Sequence, residues 1–194
     1  MRSLLAAFAA VAAVLIAAPA AAHTGHPLDG IAAGFAHPFQ GTDHLLAMIA
    51  VGAWAAQQGG RAVWLLPVAF VGVMATGGIV AFAGIGISGT ESIILASVLV
   101  LGAVIAAALR PPLWIAVPIV GAFALFHGLA HGAELPESAN APAYAAGFIA
   151  ATALLHAAGV MLSFTLRLAK PRLALRALGV AQIGGGVLLA AGAI

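Results

Sequence analysis

Six apolar stretches, each near the length of a bilayer crossing, run through this chain with hardly a charge inside them. They lie at roughly 31–57, 62–84, 91–109, 113–132, 142–166 and 174–194, and about 20 apolar residues suffice for one helical crossing. Only 6% of the 194 residues are charged and 64% are apolar, whereas an ordinary soluble domain carries about 25% charged residues. Lipid offers no hydrogen bonds to the backbone, so each crossing has to satisfy its own amides, as a helix does. The expected fold is therefore all-α: a polytopic membrane bundle of six transmembrane helices, with the bilayer as its main surroundings.

The first 22 residues have the layout of a cleavable signal peptide. Arg2 supplies the positive start, residues 4–16 the apolar stretch, and Ala20, Ala21 and Ala22 the small-residue cleavage site. The remainder, 23–194, reads as a single transmembrane domain. With its N-terminus outside, the inner loops hold Arg61, Arg110, Arg167, Lys170, Arg172 and Arg176. Every basic residue beyond the leader then falls on one side, the orientation that the positive-inside rule requires. The expected location is a bacterial inner membrane, with the mature N-terminus and C-terminus both periplasmic.

Composition also excludes some chemistry. Cysteine is absent, which removes disulfides, thiolate zinc sites and cysteine-held iron–sulfur clusters. The basic residues are scattered singly, so they serve as topology signals rather than a nucleic-acid surface. Pro67 and Pro118 are expected to interrupt their helices, and three consecutive glycines at 184–186 to weaken the last one or admit a close neighbour.

Two segments place imidazoles and carboxylates where lipid or a helix neighbour should be: HPFQGTDHLLAM at 37–48 and FHGLAHGAE at 126–134. Such groups are costly in a bilayer and face a bundle interior or a water-filled path. In the first, proline disfavours helical geometry at the residue before it and suits a helix's first turn. A break at His37 is expected, with helix resuming from Pro38. That puts Asp43 and His44 one to two turns in, about 10 Å beyond His37 at ~1.5 Å per residue. Gly41 leaves room beside them, and Met48 shares the face of His44 but suits packing.

In the second segment His127, His131 and Glu134 are spaced by four and three, so a continuing helix aligns them on one face. The span runs outward, leaving Glu134 nearest the external water and His127 deeper. His156 falls near the middle of the fifth span. The expected descending series runs from Glu134 and His131, past His37 and His127, to Asp43, His44 and His156. If cleavage follows Ala22, His23 carries a free α-amine beside its imidazole and becomes a further candidate ligand. Gln182 is expected to join helices rather than bind metal.

Imidazole and carboxylate donors suit divalent first-row metals such as nickel, cobalt and zinc, and donor type alone does not choose among them. Interhelical hydrogen bonding without any ion is the competing structural reading of each histidine. Three functions remain open on the residues: metal translocation, a membrane-embedded zinc hydrolase with one open coordination position, and a haem protein with paired axial histidines. No phosphate-cradling G-x-x-x-x-G-K-S/T segment occurs.

At these two segments the chain resembles the HupE/UreJ family of nickel and cobalt permeases. The resemblance is carried by GFAHPFQGTDHLLAMIAVGAWA at 34–55 and by FHGLAHGAE at 126–134. His37, Pro38, Gly41, Asp43 and His44 meet the first family pattern, and His127, Gly128, His131, Gly132 and Glu134 meet the second. It implies a non-enzymatic permease for Ni2+, or for Co2+ in some members, with the ion as substrate and no permanently bound cofactor. The expected partners are that divalent ion and the lipid bilayer, and a homo-oligomer is compatible with them.

Overall fold

The computed structural model of the chain describes residues 30–133, 140–169 and 171–193. The expected leader, His23 and Glu134 lie outside the described residues. Among the described residues seven α-helices follow in order: α1 (Ile31–Ala36), α2 (Thr42–Gln58), α3 (Ala62–Phe82), α4 (Thr90–Ala106), α5 (Leu113–Ala133), α6 (Ala141–Ala169) and α7 (Pro171–Ala190). One turn of 3-10 helix, His37–Phe39, sits between α1 and α2, and there is no strand among the described residues.

Among the described residues four segments are long and apolar enough to cross a membrane: Ala62–Phe82, Leu113–Ala133, Ala141–Leu168 and Leu173–Ala190. Thr90–Ala106 is a shorter apolar helix. The first expected span is not one rod. The chain does break at His37, but the α-helix resumes at Thr42 and not at Pro38. Pro38 occupies the start of the 3-10 turn, and the extended Gly41 (φ −98°, ψ 117°) separates that turn from α2. Asp43 and His44 consequently stand in the first turn of α2 rather than one to two turns inside a helix.

Pro67 and Pro118 also depart from expectation, since α3 and α5 continue through them. In a membrane bundle the packing of neighbouring helices sustains a helix across the missing proline N–H. The glycines at 184–186 likewise lie within unbroken helix. A Cβ on Gly186 would meet Leu99 at 2.7 Å, so this glycine admits a neighbour.

The helices are held by backbone approaches that only glycine permits. A Cβ on Gly52 of α2 would strike the carbonyl of His156, and one on Gly159 of α6 would strike that of Ile49. Gly77 and Gly128 stand in the same reciprocal relation between α3 and α5, as do Gly102 and Gly179 between α4 and α7. Lipid removes the water-driven attraction between apolar helices, and close packing across small residues takes its place.

These crossings put α2 at the centre, packed against α3, α4, α6 and α7. From Ala47 to Gln57 nearly all of it is buried, Met48 and Trp54 completely. Polar side chains inside the bundle bond to carbonyls: Gln57 Nε2 donates to Ile105 O at 2.9 Å and Trp54 Nε1 to Leu109 O at 3.1 Å. Gln182 Nε2 donates to Leu46 O at 2.9 Å, the helix-joining role its sequence position suggested.

Candidate metal path

The break before α2 turns His37 inward at one level and starts a new helix with Asp43 and His44 at the next. The last two turns of α5 bring His127 and His131 to the same place, because Gly128 lets α5 lie directly on Met74 and Gly78 of α3. Four histidine rings then form a file. His37 and His131 are 4.7 Å apart between ring centroids, His131 and His44 4.3 Å, and His44 and His127 5.3 Å. His44 thus lies between the two histidines of α5, not beneath both as the expected series had it, since α2 begins four residues later than the sequence suggested.

For His44 and His127 the hydrogen bonds fix which nitrogen the ring offers. His44 Nδ1 donates to Asp43 Oδ1 at 2.7 Å, and the His44 backbone N–H donates to the same oxygen at 2.8 Å. His127 Nδ1 donates to Phe123 O at 2.8 Å. A neutral imidazole that donates from Nδ1 carries its lone pair on Nε2, the arrangement by which second-shell carboxylates and carbonyls orient metal-binding histidines. The buried Nε2 atoms of His44 and His127 have no hydrogen-bond partner among the described residues. His131 Nδ1 and His37 Nε2 are 2.9 Å apart and share a hydrogen bond. His131 lies in the last turn of α5, where the helix carbonyls favour a cation.

Gly41 is part of this arrangement. A Cβ there would stand 2.6 Å from His44 Nδ1 and 3.0 Å from Asp43 Oδ1. The room it leaves is taken by the Asp43–His44 pair itself.

Aromatic side chains wall the file, and sequence reasoning missed them. Phe148 of α6 packs on His131 with centroids 4.3 Å apart, and Tyr144, one turn earlier, approaches His37 at 5.9 Å. Tyr144 is the only tyrosine in the chain, a signal that was available. Phe70 of α3, one of nine phenylalanines, gave none. Its ring lies 5.3 Å from His127 on one side and 4.9 Å from His156 on the other. His156 is 1% exposed, and neither ring nitrogen has a partner among the described residues.

Of the expected ligands, His37, Asp43, His44, His127 and His131 are brought together, and His156 is set apart behind Phe70. The rings touch pairwise, His37 to His131 to His44 to His127. Among the described residues no three histidine or acidic side chains close around one point as a resident metal site does.

A family model described as HupE / UreJ protein matches residues 11–189. Protein HupE of Rhizobium leguminosarum bv. viciae is 45% identical over 183 residues, which cover 94% of this chain and 93% of that protein. No solved structure gives a significant match. A match over residues 11–189, across both histidine segments, makes this chain a member of the HupE/UreJ family.

Proposed function

We propose that the chain is a permease that carries a divalent transition-metal cation, nickel first and cobalt as its close alternative, from periplasm to cytoplasm. The observation that carries this reading is the file of imidazoles in which the Nε2 atoms of His44 and His127 are buried without a hydrogen-bond partner among the described residues. Conduction requires sites that bind well enough to admit an ion yet weakly enough to release it. Donors in pairwise succession suit transit better than one closed cage.

In this reading six spans follow a cleaved leader, the broken first span counting as one, and both ends of the mature chain face the periplasm. The basic residues at 61, 110 and 167–176 hold the inner side. Glu134 and His23 belong to the outer approach. The membrane potential supplies ~2.3 kcal/mol per charge per 100 mV, hence about 4.6 kcal/mol for a divalent cation entering a negative interior. The chemistry is translocation, not bond making.

Uptake by purified protein in liposomes, with nickel, cobalt and zinc in competition under a clamped potential, tests the proposal. Saturable nickel uptake that cobalt inhibits is expected. Metal-dependent hydrolysis without ion flux would replace the permease by an enzyme, and a Soret absorption band in the purified protein would replace it by a haem protein.

A further inference from the structure

The histidine file does not end at His127. Ring contact continues from His127 to Phe70 and from Phe70 to His156. Phe70 is fully buried, and its apolar ring touches both histidines. Yet imidazole nitrogens without a hydrogen-bond partner among the described residues belong to both histidines that it touches: Nε2 of His127, and both nitrogens of His156. Burying such a group without a hydrogen bond is costly, and His156 bears that cost at both ring atoms.

Two further observations concern what surrounds Phe70. Pro67 stands one turn before it in α3, so the Val63 carbonyl lacks its usual intrahelical donor and that turn is easier to distort. Beside His156, an apolar groove of about 610 Å³ runs between α3 and α6 on the outer face of the bundle, lined by Pro67, Val71, Val160 and Met161.

We infer that Phe70 is a movable partition in the permease's path, separating the outer imidazole file from an inner station for a divalent first-row metal ion at His156. This deepens the permease reading and rests on it. The ion held at His44 and His127 advances only when the Phe70 ring leaves its place between the two histidines that it touches, and His156 receives it.

The chain has no cysteine, which allows a test that does not depend on transport. A His156→Cys variant is treated with a membrane-impermeant, positively charged methanethiosulfonate reagent from each side in turn, the side that labels His37→Cys defining the outside. With Phe70 present, no labelling from the outside is expected. With Phe70→Ala added, labelling from the outside is expected to approach completion, and with Phe70→Leu, whose side chain keeps apolar bulk in a bundle that stays monodisperse, to be partial. Labelling from the outside with Phe70 intact, or continued shielding in both Phe70 variants, overturns the partition.

Nickel flux in liposomes supplies the second measurement. His156→Gln is expected to keep the concentration for half-maximal uptake, because the outer file is intact, and to lower the maximal rate. Unchanged values of both would remove His156 as the receiving station. The expected labelling pattern in a protein that carries no nickel would uphold the barrier and overturn the permease reading alone.

Discussion

Asp43 and His44 are neighbours in sequence and also bonded side chain to side chain, the imidazole Nδ1 donating to the carboxylate at 2.7 Å. Consecutive residues on a helix normally point about 100° apart. Here the pair stands in the first turn of α2, directly after the extended Gly41, and the carboxylate also accepts the backbone N–H of His44. The bond turns His44 Nε2 toward the file between His131 and His127.

Asp43→Asn keeps the size of the side chain and removes its charge, so His44 Nδ1 faces an amide that can donate as well as accept and no longer fixes its tautomer. Loss of such an orienting group weakens metal binding roughly 10–100-fold. Half-maximal nickel uptake is expected to shift upward by that factor with normal insertion, and His44→Ala to abolish uptake. Wild-type uptake constants in both variants would remove this pair from the path.

Gly41→Ala tests the same pair from outside it. The backbone at Gly41 is extended with negative φ, a conformation alanine adopts freely. The new methyl group meets only the bonded Asp43 and His44 side chains within 3.0 Å. Uptake is expected to fall while the detergent melting temperature stays near wild type. A large fall in melting temperature would mean that the glycine serves the fold instead.

The path was legible in part. Proline after His37 announced the break, and the four-residue spacing of His127 and His131 announced their common face. Sequence could not show where the helix restarts, because that depends on Gly41 becoming extended, a conformation any residue can take. It could not place Phe70 either. Its role follows from the crossing of α3 and α5 at Gly77 and Gly128, and α3 is apolar all round, so no face of it stands out.

The crossings themselves are testable. Gly52→Ala and Gly159→Ala drive a methyl group into the backbone of the opposing helix, and overpacking of this kind costs about 1–3 kcal/mol or more. Both are expected to lower the detergent melting temperature and the yield of monodisperse protein. Gly72→Ala, on the same kind of helix with nothing within 4 Å of the new Cβ, should be neutral or stabilising by roughly 0.5–1 kcal/mol. Equal melting temperatures for all three would mean that α2 and α6 are not in backbone contact.

Gln182 separates helix joining from metal handling. Its Nε2 bonds the Leu46 carbonyl at 2.9 Å, just two residues past His44 on α2, so it supports the helix that carries the Asp43–His44 pair without belonging to the file. Interhelical hydrogen bonds in membrane proteins contribute on average about 0.6 kcal/mol and up to about 1.7. Gln182→Leu is expected to lower stability by an amount in that range, measured by denaturant titration in detergent, with the nickel concentration for half-maximal uptake unchanged. A shift in that concentration at unaltered stability would make Gln182 a contributor to the path and would move the path toward α7.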